Sequence, residues 1–103
     1  MSIQDTMLKI HELLGMPVSY SRFRERQTPP YIIYRGNGQT AMPADNTYYY
    51  KANDYQIEYY FDEKDERAEE RIEKQLLADG FMYDKSDDTY IEEENISVIY
   101  YQV

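Results

Sequence analysis

The stretch Tyr55-Gln56-Ile57-Glu58-Tyr59-Tyr60-Phe61 decides the fold class. Apolar and aromatic side chains occupy every second position, at 55, 57, 59 and 61. Because successive side chains of a β-strand point to opposite faces, this period of two predicts a strand over residues 55–61. One face belongs to the core, and the other, with Gln56, Glu58 and Tyr60, is expected to lie in water.

A helix is predicted directly after this strand, over residues 66–79, with Asp62 or Asp65 as its N-terminal cap. The apolar positions form one stripe at helical spacing: Ala68, Ile72, Leu76 and Leu77. Gly80 suits the left-handed position that ends such a helix, and Phe81 is then placed to pack back on Leu76 in a Schellman motif.

The C-terminal part predicts two more strands. Residues 81–85 form the first, residues 86–88 the turn, and residues 89–103 a long final strand with a possible break at 92–95. The final strand carries apolar residues on both faces, which is typical of a central strand or of one that meets another subunit.

Upstream of the deciding stretch, Ser2 can cap a helix over residues 3–14, which Gly15 and Pro17 end. Residues 17–30 have mixed character and are predicted as loop. Residues 31–34 form a strand, residues 36–46 contain an exposed loop, and residues 47–51 form a further strand.

The order of elements is therefore α-β-β-β-α-β-β. It predicts an α+β fold in which two helices pack on one face of a mainly antiparallel sheet of about five strands. A length of 103 residues fits a single domain spanning 1–103.

Composition excludes several classes of protein. The chain has no cysteine, so it can form no disulfide and offers no thiol nucleophile or Cys-based zinc site. Hydrophobic residues make up 42% and aromatic residues 16%, which is too rich for a disordered chain. No apolar run approaches the roughly 20 residues that span a bilayer, and no signal peptide is evident, so we expect a cytoplasmic protein without a membrane partner.

The formal net charge of −9 is unevenly divided along the chain. Residues 1–53 hold six basic and four acidic side chains, whereas residues 54–103 hold five basic and sixteen acidic ones. Oppositely charged patches on identical subunits favour head-to-tail contacts. A solvated acidic surface that only keeps the protein soluble is the alternative.

No constellation of residues indicates catalysis. His11 is the one histidine and has no partner for a metal, the carboxylates lack EF-hand spacing, and Gly36-Asn37-Gly38 is too short for a nucleotide-binding fingerprint. We therefore expect no enzyme activity, no cofactor and no metal.

The chain has thirteen tyrosines, several of them in consecutive runs. Neighbouring residues of a strand face opposite sides, so both faces of the sheet carry aromatics, which favours a second buried surface. Stacking on nucleic acid is not expected, because the β-rich half is strongly acidic.

Five segments of the chain follow the pattern of a known family: the strand Pro29-Pro30-Tyr31-Ile32-Ile33-Tyr34, the loop leading to Ala44-Asp45-Asn46, the strand at 54–61, the helix at 66–77 and the closing strand at 96–101. Residues 30–103 resemble the tail-terminator, or tail-completion, proteins of long-tailed bacteriophages and prophages, and the first helix is similar to the N-terminal helix of that family.

This resemblance implies a non-enzymatic virion protein. It would form a ring, commonly a hexamer, at the head-proximal end of the tail tube, stop tube polymerisation and present a surface to the head connector. The protein would then occur in the host cytoplasm during assembly and in the virion tail afterwards. Two other classes remain open: an acidic DNA mimic that inhibits a host nucleic-acid enzyme, and a small cytoplasmic adaptor that binds a peptide strand.

Two candidate sites follow. An interface between subunits is predicted where a basic stretch meets an acidic face of the neighbour; it comprises Tyr20, Arg22, Phe23, Arg24, Arg26, Glu63, Glu66, Glu69 and Glu70. A partner-binding loop is predicted at Gly36, Asn37, Gly38, Gln39 and Thr40, which offer hydrogen bonds and little to bury.

Overall fold

The first helix, α1, spans Ile3–Leu14, as the capping signals predict. The Ser2 side chain accepts a hydrogen bond from the Asp5 amide, and Gly15 ends the helix in the left-handed conformation with φ of 68°. The computed structural model describes residues 2–37 and 55–103.

Six strands follow in the described residues: β1 (Val18–Tyr20), β2 (Tyr31–Gly36), β3 (Tyr55–Phe61), β4 (Asp84–Lys85), β5 (Thr89–Ile91) and β6 (Ile96–Gln102). The second helix, α2, spans Glu66–Ala78 between β3 and β4 and is capped by Asp65. The fold is α+β with a mostly antiparallel sheet, which confirms the predicted class.

The sheet has the order β1-β2-β3-β6-β4, and β5 also pairs with β6. β1 runs parallel to β2, and all the other pairs are antiparallel. The central strands β3 and β6 are in register from Gln56 opposite Gln102 to Phe61 opposite Ser97.

Two expectations need correction. Residues 17–30 are not only loop, because β1 lies within them and pairs with β2. The strand predicted over 81–85 shortens to β4. The final strand breaks at residues 92–95, where a break was predicted, and the resulting strands β5 and β6 pair as a hairpin. The strand predicted over 47–51 lies outside the described residues.

Both helices pack on one face of the sheet. Ile57, Tyr59 and Phe61 of β3 join Ile3, Met7 and Ile10 of α1 and Ala68, Ile72 and Leu76 of α2 in one hydrophobic cluster. Leu77 is 52% exposed, so it does not widen the buried stripe of α2 as predicted.

The end of α2 is the Schellman motif that the sequence predicts. Gly80 adopts φ of 88°, its amide donates to the Leu77 carbonyl, and the Phe81 amide donates to the Leu76 carbonyl at 2.8 Å. Phe81 packs against the hydrophobic cluster that contains Leu76. This turn directs the chain back towards the sheet.

Candidate functional site

The face of the sheet opposite the helices is the candidate site. Because Ile57, Tyr59 and Phe61 of β3 point to the helices, the residues between them point away. The strand registers extend this helix-free face across β2, β3 and β6, where it comprises Tyr31, Ile33, Arg35, Gln56, Glu58, Tyr60, Val98, Tyr100 and Gln102.

Glu58 lies at the centre of the helix-free face and is only 4% exposed. Its carboxylate is 3.0 Å from Arg35 Nε and accepts hydrogen bonds from Gln56 Nε2 at 2.8 Å and from the Tyr60 hydroxyl at 2.7 Å. The expectation that Glu58 lies in water is therefore wrong. The side chains beside it on this face cover it and supply the hydrogen bonds that a buried carboxylate requires.

Aromatic rings surround this carboxylate on one side. Tyr60 stacks on Tyr31 with ring centroids 4.9 Å apart, and Phe23 meets Tyr31 edge-on at 5.6 Å. Burial, together with the hydrogen bond to Glu58, raises the pKa of Tyr60 well above its ordinary value. Tyr60 thus remains a neutral hydrogen-bond donor at neutral pH.

On the other side, amide groups form a chain of hydrogen bonds from Asn37, just after β2, through β6 to β3. Asn37 Nδ2 donates to Gln102 Oε1 at 2.6 Å, Gln102 Nε2 donates to Gln56 Oε1 at 2.7 Å, and Gln56 donates onward to Glu58. Each amide is fixed by the next, so these polar groups are held in position.

The helix-free face presents aromatic and polar groups side by side. It combines half-buried tyrosines with one fixed ion pair and an ordered amide chain. Large rings with polar tips around preorganised hydrogen-bonding groups are characteristic of protein interfaces.

The basic stretch lies at the edge of the sheet beside β1. Arg22, Arg24 and Arg26 are all exposed. Tyr20 and Phe23, predicted as interface residues, pack within the subunit. Tyr20 lies edge-on against Tyr34 with ring centroids 5.1 Å apart, and Phe23 packs on Tyr31. Tyr20 still keeps 53% of its surface exposed.

The acidic members of the predicted interface lie on and before α2, and the structure separates one of them from the rest. Glu63, Glu66 and Glu70 are exposed, whereas Glu69 is 3% exposed. Glu69 Oε1 accepts a hydrogen bond from Lys85 Nζ at 2.9 Å, and Oε2 lies 2.8 Å from Lys64 Nζ. The expectation that Glu69 belongs to an exposed acidic face is therefore wrong.

Glu69 belongs instead to a network that ties α2 to the sheet. Lys85 also contacts Glu73 at 2.8 Å, and Glu73 accepts a hydrogen bond from the buried Tyr101 hydroxyl at 2.8 Å. Burial and this hydrogen bond raise the pKa of Tyr101. The network therefore joins α2 to β4 and β6 within the subunit.

The predicted partner-binding loop is described only at its start. Gly36 is the last residue of β2 and pairs with Tyr55, so it is a strand residue, and Asn37 begins the amide chain. Gly38, Gln39 and Thr40 lie outside the described residues.

The candidate site includes residues that the sequence did not single out, above all Arg35, Gln56, Glu58 and Gln102. Finding them requires the register that places β2 and β6 on either side of β3, since no pair of them is close in sequence except Gln56 and Glu58. The signal available in the sequence was Glu58, an acidic residue in the middle of a strand made mostly of aromatic and apolar residues.

Comparison with known proteins identifies no relative: no protein-family model, curated protein or solved structure matches the chain. Within residues 2–37 and 55–103, no three histidine or carboxylate side chains converge as a metal site would require. Neither described helix has the length and apolar character needed to cross a membrane.

Proposed function

We propose that this chain is a non-enzymatic subunit of a protein assembly, and specifically a tail-terminator ring subunit of a long-tailed phage or prophage. In this role it stops growth of the tail tube and presents a surface to the head connector. The specific form of the proposal comes from the resemblance in sequence pattern.

The observation that carries the proposal is the helix-free face. An antiparallel sheet with helices on one side commonly leaves its other face polar and solvated. Here that face displays Tyr31, Ile33, Tyr60 and Tyr100 around the Arg35–Glu58 ion pair. Aromatic anchors beside prepositioned polar groups favour binding to a second protein surface.

The charge distribution supports the same assignment. Residues 54–103 carry a net charge of −11, which disfavours binding to phosphates, and such a surface lets DNA pass through a conduit without sticking to it. The exposed Arg22, Arg24 and Arg26 interrupt the acidic surface that a DNA mimic would need.

The test is a tube-length assay. The tail-tube protein of the same phage or prophage is polymerised with and without this chain, and tube lengths are measured by electron microscopy. We expect the chain to shorten the tubes and to appear at one end of each.

A change on the helix-free face, Tyr100→Arg, should abolish this effect, while Leu77→Arg, an equivalent change on the exposed side of α2, should not. Tubes that grow to the same lengths with and without the wild-type chain would contradict the proposal. Tight binding to a host nucleic-acid enzyme instead would favour the DNA-mimic class.

A further inference from the structure

The edge strand β1 has hydrogen-bonding groups on its outer side. The Pro17 carbonyl and the Ser21 amide both bond to the backbone of β2. Because the backbone groups of a strand alternate between its two sides, Val18 and Tyr20 direct theirs away from β2. No described strand pairs with that side of β1.

A sharp turn ends β1 and limits what this edge offers. The Arg22 amide donates to the Tyr20 carbonyl at 2.8 Å, and Ser21 between them has φ of 68°, as in a γ-turn. The outer side therefore keeps the amides of Val18 and Tyr20 and the carbonyl of Val18. A donor, an acceptor and a second donor at strand spacing match the backbone of one extended polypeptide segment.

An open pocket lies beside this edge, between β1 and α1. It has a volume of about 300 Å³ and is lined by Met7, Leu8, His11, Val18, Tyr20 and Tyr34 among others. Leu8 is 56% exposed and Tyr20 is 53% exposed. The pocket therefore has room for one large apolar side chain between walls that are themselves largely apolar.

The pocket lies on the face of the sheet that an added strand would reach. Val18 pairs with Ile32, which belongs to the hydrophobic cluster under the helices, so the Val18 side chain lies on the helix face. Residues directly opposite each other on neighbouring strands place their side chains on the same face. A residue added opposite Val18 therefore directs its side chain to the helix face, where the pocket opens.

The charge next to this edge favours an acidic segment. Residues 22–26 follow the strand directly and hold three arginines and one glutamate, in a chain whose net charge is −9. Arg22 and Arg24 are exposed and form no ion pair within residues 2–37 and 55–103, whereas Arg26 has Glu94 in its neighbourhood beside Tyr31. Guanidinium groups are well suited to binding carboxylates at interfaces.

We propose that the β1 edge binds an extended acidic segment of another protein as an added antiparallel strand, with one large apolar side chain of that segment in the pocket. Antiparallel pairing is slightly the more stable arrangement, and it lets Val18 form both of its backbone hydrogen bonds with one residue. Those bonds hold the segment, and the pocket selects its side chain. The inference goes beyond the proposed function, because it uses the sheet edge and not the helix-free face and does not depend on the phage assignment.

The first experiment uses a synthetic peptide, Glu-Glu-Thr-Phe-Thr-Glu-Glu, acetylated and amidated, which is titrated into the isotope-labelled full chain and followed by NMR. We expect saturable shifts of the Val18 and Tyr20 amides and slower exchange of both with solvent. Replacing the phenylalanine of the peptide by alanine should weaken binding about tenfold or more. The absence of any saturable shift up to roughly 5 mM peptide would overturn the proposal.

Modified peptides test the strand pairing and the charge without altering the chain. N-methylation of the phenylalanine removes the N–H that bonds to the Val18 carbonyl, whereas N-methylation of a neighbouring threonine changes an amide that points away. The first should weaken binding about fivefold and the second should leave it unchanged. Replacing the four glutamates by lysine should abolish binding at low salt. Equal losses from the two methyl groups, or full binding of the lysine peptide, would overturn the proposal.

Variants of the chain locate the pocket. Leu8→Lys should weaken peptide binding about tenfold or more, because it places a charge in the wall of the pocket. Leu77→Lys, a matched change of an equally exposed leucine on α2, should bind like the parent. Circular dichroism confirms that both variants are folded. Equal binding by the two variants would place the peptide elsewhere and overturn the proposal.

The outcomes separate this inference from the proposed function. Peptide binding by a chain that leaves tube lengths unchanged would support the edge site and contradict the ring role, and tube shortening without peptide binding would do the reverse. Protection of the Val18 and Tyr20 amides in the dilute chain alone, or its appearance as the concentration of the chain alone rises, would show that the chain itself or a second copy covers the edge. Either result would overturn the proposal.

Discussion

At the scale of the residue, the stability of the buried Glu58 carboxylate depends on its ion pair with Arg35. The carboxylate is almost fully buried, while the guanidinium that faces it is 45% exposed. Removing the arginine leaves a charge in a site where water has little access, and the loss of a partner then costs more than an exposed ion pair would contribute.

We predict that Arg35→Met lowers the free energy of unfolding by about 1 to 3 kcal/mol, as measured by urea denaturation. The methionine keeps an apolar stem over the strand, so the loss reports on the charge. Adding Glu58→Gln to this variant should recover part of the stability, because Gln needs no counter-charge. A denaturation midpoint equal to that of the parent would show that Tyr60 and Gln56 satisfy Glu58 without the arginine.

The sequence could not reveal the burial of Glu58 or Glu69. A period of two assigns a residue to a face of the sheet but says nothing of what covers that face. Glu58 is covered by side chains from β2 and β3, and Glu69 is held by Lys64 and Lys85 from outside its own helix. Such partners are found only when the tertiary register is known.

At the scale of the element, the apolar contact of α2 with the sheet is made by one narrow stripe, in addition to the ion pairs of Glu69 and Glu73. Ile72 is fully buried in the hydrophobic cluster, whereas Leu77 on the same helix is 52% exposed. Comparing substitutions at these two residues tests how much of the stability of the fold depends on that stripe.

We predict that Ile72→Ala destabilises the protein by about 2 to 5 kcal/mol, since it removes buried methyl groups and leaves a cavity. Leu77→Ala should change stability by no more than about 0.5 kcal/mol. Both values come from chemical denaturation followed by circular dichroism. Equal effects at the two positions would mean that the helix does not pack on the sheet through Ile72.

The helices and strands differ in how closely the sequence predicts their bounds. Both helices carry their caps within a few residues, so the starts and ends of α1 and α2 could be predicted closely. β1 was missed because three residues are too few to show a periodicity, and each of them pairs with a residue of the parallel strand β2 fourteen positions away. The turn between β5 and β6 was indicated as a break, but its pairing depends on tertiary structure.

At the scale of the whole molecule, the protection of backbone amides against hydrogen exchange should decrease from the centre of the sheet towards its edges. β3 lies between β2 and β6 and contributes Ile57, Tyr59 and Phe61 to the core, while β1 and β4 are short and lie at the ends of the order. Amides that open only on global unfolding exchange slowest, and those near an edge exchange through local opening.

We predict that, in dilute protein, the amides of Ile57 and Tyr59 exchange slowest and those of Val18 and Tyr20 exchange fastest among the strands. Hydrogen exchange followed by NMR measures this directly. Fast exchange of the β3 amides, or amides of Val18 and Tyr20 as well protected as those of β3, would contradict this ranking.

The position of β6 has a consequence for synthesis of the chain. It is the last strand in chain order, yet it pairs with β3, β4 and β5. While a ribosome is still translating the preceding elements, β3 has one unpaired side, and the apolar residues beside it have no neighbour from β6. The sheet can therefore close only after residue 102 has emerged.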